Sequence, residues 1–409
     1  MINRECEILS CKWYSGWMSL ATASRLYELS ASGAALRRQR TNLVKSIWHG
    51  STSTGKTDVA INALSTLPIQ IKPKAELYEE IKANNPEKSG WALKLSQTTA
   101  YGKAVFRFYK EGVRNVWNNK REMNQLMKSE FKIPNQVDNK GQSVHLRVPS
   151  FPKLVFELTQ ALYMNKIENE QIRLATKGDV VKNDKVDVVY DEQLFNISRA
   201  QFQLINRTLK DFIKLPAFAV IFMIFMEMTP VLCFAFPEIT PLTCVLPSIL
   251  PRLWDSKSGA KVRQLRANEG KVEDWALETA YNIPYETLVP LTGQLGLRSK
   301  YLPSAIYPES YLRNKLHRHY NYLVVDNYFL SGLNGNGNVW DLNDEELVQA
   351  SLERCLIPDV AAFVKIPPEA RNAELKKLRL KLLRAIIDMA NFNVGYLTVG
   401  HLLGEVESS

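Results

Sequence analysis

Apolar residues recur along most of this chain at three- and four-residue intervals, the spacing of one helix face. Nowhere do they alternate with polar residues long enough to predict a sheet. From Pro73 to about Lys128 the pattern is helical. Phe106, Phe108, Tyr109, Val113, Val116 and Trp117 form an apolar stripe with Lys and Arg opposite, as in a core-packed or membrane-surface helix. Residues 132–150 read as loop, and a further helix is expected from Pro152 to about Thr176. Ser198 has capping-box spacing to Gln201 and opens a long helix containing FQLINRTLKDFIKL. Helices are also expected at Lys261–Tyr281, Tyr285–Leu295, Glu309–Leu330, Asp344–Cys355 and Glu369–Ala390, an all-helical bundle with short loops.

The pattern changes between Lys214 and Arg252, where there is no Lys or Arg and the only acids are Glu227 and Glu238. As one helix, Pro216–Phe236 would cover about 31 Å, close to the thickness of a hydrocarbon core, which predicts a single transmembrane span. Pro241, Pro247 and Pro251 break the remainder. A carboxylate at mid-membrane is costly unless protonated, paired or hydrated, so Glu227 is a candidate functional group. Pro230 frees the carbonyl of residue 226, and the two together could coordinate a cation or exchange a proton. Pro216, Pro237 and Pro241 complete this candidate set. Basic residues flank the segment on both sides: Arg199, Arg207, Lys210 and Lys214 before it, Lys257, Lys261, Arg263 and Arg266 after it. The charge asymmetry leans toward a C-terminal side in the matrix.

Composition adds a formal charge of +10, from 52 Lys+Arg against 42 Asp+Glu, which favours anionic partners such as nucleic acid or lipid. The five cysteines are scattered without metal-ligand spacing, so neither a disulfide framework nor a zinc site is expected. The segment from Met18 is rich in Arg, Ser and Ala with Glu28 as its only acid up to Thr57, the composition of a mitochondrial transit peptide. Translation from Met1 or Met18, and removal of the segment up to roughly the GKT, are the expectations here. That GKT ends GSTSTGKT, a match to the phosphate-cradling loop through Gly50, Gly55, Lys56 and Thr57. Its context is wrong for a P-loop NTPase, a minor alternative. The approach RRQRTNLVKSIWH is not a clear strand, and the following TDVAINALSTL stops at Pro68. A calcium loop at Asn334–Glu345 is disfavoured, since it lacks the first-position Asp and has Val339 where Gly is needed. Asn343 is instead expected to cap the next helix, with Glu346 at the capping-box position.

ISRAQFQLINRTLKDFIKLPAF, FMEMTPV and FPEITP, followed by YLRNKLHRHYNYLVVDNYFL and WDLNDEELVQASLERCLIP, occur in an order that resembles the LETM family of mitochondrial inner-membrane proteins. Glu346, Leu347, Ala350 and Arg354 fit that family's EL..A...RG signature, with Cys355 in place of its Gly; the leucine zipper and EF-hand are absent. The resemblance implies a mainly α fold: a single-span anchor with an all-helical, 14-3-3-like domain of LETM ribosome-binding type. It divides the chain into a targeting segment (1–57), a helical pre-membrane region (70–197), a membrane-entering and crossing segment (198–251) and a matrix domain (252–409). The implied function is non-enzymatic: potassium/proton exchange and organelle cation and volume homeostasis. The alternative is a tethered adaptor for the mitochondrial ribosome that serves insertion or assembly of inner-membrane proteins. Ribosome contacts would come from Lys257, Lys261, Arg263, Arg266 and Arg354. Expected partners are inner-membrane lipid, the ribosome, another copy or other membrane proteins, and monovalent cations; no cofactor or metal is expected.

Overall fold

The computed structural model describes residues 47, 58–72, 74–87, 89–129, 131–137, 143–146, 150–163, 196–225, 229–267, 272–333 and 337–402. Its longer helices, labelled here in chain order, are α1 (Lys74–Asn84), α2 (Gly90–Leu126), α3 (residues 151–163), α4 (Arg199–Phe225) and α5 (Thr229–Ala235). They continue with α6 (Ser256–Arg266), α7 (Tyr285–Gln294), α8 (Glu309–Leu330), α9 (Asp344–Leu352) and α10 (Pro368–Met389). The expected mainly α character is found, and α8 has the bounds its periodicity predicts.

An antiparallel pair, β1 (Phe131–Val137) and β2 (Ser143–Leu146), occupies the stretch read as loop. Phe131 pairs with Leu146 and Lys132 with His145, and the register shifts before Val137 pairs with Ser143. Pro134, which has no N–H to donate, lies in that interval.

α2 and α4 lie side by side and antiparallel: Phe106 stacks on Phe222 at 5.5 Å, and Trp117 meets Phe212 at 6.4 Å. Ser198 and Gln201 form the expected capping box at the start of α4, each side chain taking the other residue's backbone N–H (3.0 and 3.3 Å). The main core joins Met123 of α2, Leu154 and Leu158 of α3, and Phe202 and Ile205 of α4 to residues from α6, α7, α8 and α10. This core runs straight across the division drawn between residues 251 and 252. A second core gathers Leu330, Leu347, Ala350, Leu378 and Leu382, with Ile47 and Ile61 from the N-terminal side.

The segment expected to cross a membrane turns back. Lys214 Nζ donates to the Thr240 carbonyl at 3.3 Å, and the Asp211 carboxylate accepts the N–H of Leu242 (2.7 Å) and of Thr243 (3.4 Å). Residues 215–239 therefore leave and re-enter at the same place. Leu215–Phe225 can reach only about 16 Å, half a hydrocarbon core. Among the described residues no helix is long and apolar enough to cross a membrane, which corrects the single span. The returning chain packs hard on α2, where a Cβ at Gly112 would stand 2.6 Å from Cys244 Sγ and 2.9 Å from the Thr243 carbonyl.

Candidate functional site

α4 carries two opposite kinds of surface. In its first half Arg199, Gln203 and Arg207 recur every four residues, which sets them on one face, and that face is buried. Arg199 Nε binds Asp326 Oδ1 at 2.8 Å and its Nη1 binds Glu346 Oε2 at 3.1 Å. Arg207 grips Glu346 with two parallel bonds of 2.6 and 2.9 Å. Gln203 Nε2 donates to Asp326 at 2.7 Å, and Arg354 Nη2 reaches the other Asp326 oxygen, also at 2.7 Å. Beside them Tyr322 Oη donates to Glu353 Oε2 at 2.6 Å. Burial opposes ionisation of Asp326, but Arg199 and Arg354 outweigh it and hold the carboxyl well below its usual range. Glu346 is likewise opposed by burial and held low by Arg207 and Arg199. Three arginines thus meet the two carboxylates Asp326 and Glu346, and Glu353 joins the group through Tyr322 and Gln349 as part of a buried structural core.

In its second half α4 reverses this polarity. Leu209, Ile213, Val220, Met223 and Ile224 recur at helical spacing and face outward, with Ile213 74%, Met223 71% and Ile224 67% exposed. α2 brings a matching stripe of Trp91, Leu95, Phe106 and Trp117, and Trp91 is 77% exposed. The stripe predicted on α2 therefore divides: Phe108, Tyr109 and Val116 are core, while Phe106 and Trp117 line the outer face. Phe106 and Trp117 lie against Phe222 and Phe212 of α4, so the outer row of α2 borders the seam between the two helices. The exposed row of α4 points away from its core-packed Phe222 side. α5 carries further exposed apolar residues, Val231 and Phe234, followed by Phe236. Cations sit against two aromatic rings, Lys120 over Phe212 at 4.8 Å and Arg252 over Phe234 at 3.4 Å. These exposed apolar rows on neighbouring helices, with cations against Phe212 and Phe234, are the candidate site.

The residues singled out in the sequence scatter with respect to it. Pro216 lies within α4 on the exposed side, and Pro230 is in the first turn of α5. Pro237 and Pro241 are buried at the two short 3-10 turns of the returning chain. Glu227 and the loop residues Gly50, Gly55, Lys56 and Thr57 lie outside the described residues. Lys257 and Lys261 are exposed on α6, and Arg263 is half-buried. Arg266 and Arg354 are corrections: Arg266 is buried against Glu278 and Trp275, and Arg354 is spent on Asp326 and Asn327, so neither is free to meet a phosphate backbone. Glu346 is not the partner of a helix cap either. Asn343 makes no side-chain cap, and its N–H donates to Asn62 Oδ1 at 2.9 Å. Sequence reasoning missed the Arg199, Arg207, Asp326 and Glu346 cluster. Its trace was the four-residue recurrence of Arg199, Gln203 and Arg207 on an otherwise apolar helix.

No curated protein sequence matches the chain, and no solved structure does. The LETM resemblance, with its ribosome-binding domain type and 14-3-3-like shape, is overturned by the family comparison, in which another family is found and no LETM domain. The motifs that carried it are short apolar and proline-rich strings, which a different family can share. The profile of the pentamidine resistance factor domain, PNT1, matches residues 61–332, well over half of the 409 residues and including α1 to α8 with the whole exposed face. The chain belongs to the pentamidine resistance factor domain family.

Proposed function

We propose that the protein is a non-enzymatic component of the mitochondrial inner membrane that lies on the bilayer through the α2–α4 face and does not cross it. The observation that carries this reading is the pair of exposed apolar stripes on adjacent long helices. A helix with this pattern lies in the interfacial plane with its apolar face sunk about 5–10 Å. Trp91 and Trp117 suit the headgroup boundary, where amphipathic rings concentrate. Lys120 and Arg252, held on the rings of Phe212 and Phe234, meet anionic headgroups. Fully burying one large apolar side chain contributes about 1.5–3 kcal/mol, so five that sink halfway supply on the order of 5 kcal/mol. The acid-poor, Arg- and Ser-rich segment from Met18 supports organellar targeting.

The family description names pentamidine resistance. Pentamidine is an aromatic dication, and a membrane potential drives each such charge inward by about 2.3 kcal/mol per 100 mV. A protein seated on that membrane is placed to alter how such a cation acts there. Potassium/proton exchange and ribosome docking entered through the LETM resemblance, and the family correction removes that ground for them.

Flotation with vesicles of phosphatidylcholine and phosphatidylglycerol tests the reading. The full chain floats with the vesicles, and Ile213→Glu with Met223→Glu lowers the bound fraction at least about tenfold. A double variant that floats like the parent overturns it.

A further inference from the structure

Residues 61–66 close the ionic core from the N-terminal side, and Ile47 is seated in the second core beside it. Arg199 Nη1 donates to the Ile61 carbonyl at 2.8 Å, Ala63 N–H donates to Glu346 Oε1 at 3.0 Å, and Arg207 Nη1 reaches Thr66 Oγ1 at 3.1 Å. The Asn62 side chain bridges two further points, donating to the Asp341 carbonyl at 2.8 Å and accepting from Asn343 N–H at 2.9 Å. Asn119 of α2 donates to the Ser65 carbonyl at 2.9 Å. The Ile47 carbonyl accepts from Asn338 Nδ2 (3.3 Å) and Trp340 Nε1 (3.2 Å), and the Ile47 side chain is 1% exposed in the second core. The arm is bonded to α2, to α4 and to the start of α9. Two of its anchors, Ile47 and Ile61, lie on either side of GSTSTGKT.

We propose that Ile47 and residues 58–67 are permanent parts of the folded protein, an arm anchored at both positions, so that removal of the targeting segment ends before Ile47 and GSTSTGKT between them is retained. A cut after the GKT would discard Ile47, and one a few residues further on would take polar partners from Arg199, Arg207 and Glu346 together. The arginine cluster Arg37-Arg38-Gln39-Arg40 lies directly upstream and supplies the cleavage signal for an organellar endopeptidase that reads arginine. The step is hydrolysis of one peptide bond, water giving its hydroxyl to the new carboxyl group and a proton to the new amine. The cleavage half rests on the organellar reading above; the arm half does not.

Import of the full chain into isolated mitochondria, with the mature N-terminus read by mass spectrometry, tests the cleavage. An N-terminus between residues 19 and 47 is expected, and one at 48 or later overturns the proposal. A chain that keeps residue 1 overturns both the cleavage and the organellar targeting. The arm is judged separately on thermal unfolding of full-length variants. Ile47→Asp and Ile61→Asp each lower Tm by about 5 °C or more, whereas Leu64→Asp, at an exposed position of the same arm, does not. Wild-type melting of Ile47→Asp and Ile61→Asp overturns the arm even if import proceeds as expected.

Discussion

The two halves of α4 invert the usual rule in opposite directions. The first puts Arg199 and Arg207 where apolar residues belong, and the second puts Ile213, Met223 and Ile224 where polar ones belong. The difference lies in what answers each half. The charges are answered inside the molecule by Asp326 and Glu346 at hydrogen-bond distance. The apolar stripe has no such answer among the described residues, so its complement is sought in a bilayer. A buried charge must be solved by the fold itself, because an unpaired one would unfold it; an exposed apolar face can wait for its surroundings.

The sharpest way to break this contrast is to remove the internal answer. Glu346→Ala leaves Arg199 with one carboxylate and Arg207 with none, and a loss of about 3–5 kcal/mol is expected in denaturant unfolding. The outer half predicts the reverse: in the absence of lipid, Ile213→Glu with Met223→Glu keeps stability within about 0.5 kcal/mol per site, since neither side chain packs on the core.

Between the halves, Asp211 sharpens the comparison through pH. Burial pushes its carboxyl up to about 6, against the N–H bonds of Leu242 and Thr243 and the charge of Lys214. The folded chain therefore holds a proton that the unfolded chain has released between about pH 4 and pH 6. The stability this gives is complete below about pH 4 and is lost as pH rises through 6, about 2–3 kcal/mol in all. Asp211→Asn should flatten that slope in thermal unfolding. Asp326 and Glu346 carry the opposite sign: their contribution is present above the ordinary carboxylate range and is lost as pH falls below about 4.

The smallest effect concerns Cys355, the one non-glycine residue with a left-handed backbone among those described, at φ 58. Cys355→Gly relieves about 1 kcal/mol of strain and loses a similar amount to unfolded-chain freedom, so the net change stays within about 1 kcal/mol. Cys355→Val should be destabilising by about 1–2 kcal/mol, because a branched Cβ is worse there.

Much of the helical framework was legible. Glu309–Leu330 is bounded as its periodicity predicts, and the Ser198–Gln201 box opens α4, because both signals are local. The span was misread because hydropathy records how apolar a segment is, not which way the chain runs. What turns this one back is Asp211 and Lys214 holding residues 240–243. The ionic core was invisible for a related reason. Arg199 and Arg207 look like a basic flank until Glu346, 147 and 139 positions away, is folded against them. The exposed face was half legible, since the stripe on α2 was seen but its division into an inner and an outer row depends on where α4 lies.

The bond between Ala63 N–H and Glu346, 283 positions apart, has a consequence for the order of assembly. A chain that emerges or is threaded from its N-terminus presents the arm, then Arg199 and Arg207, long before Asp326 and Glu346 arrive. Until then the arginines have no carboxylates to hold them inside, and the contacts that close the core are among the longest loops the chain can make. The ionic core therefore cannot close until the C-terminal third is present. Meanwhile the apolar end of α4 is already exposed, so the chain can meet a membrane surface before its own interior is complete.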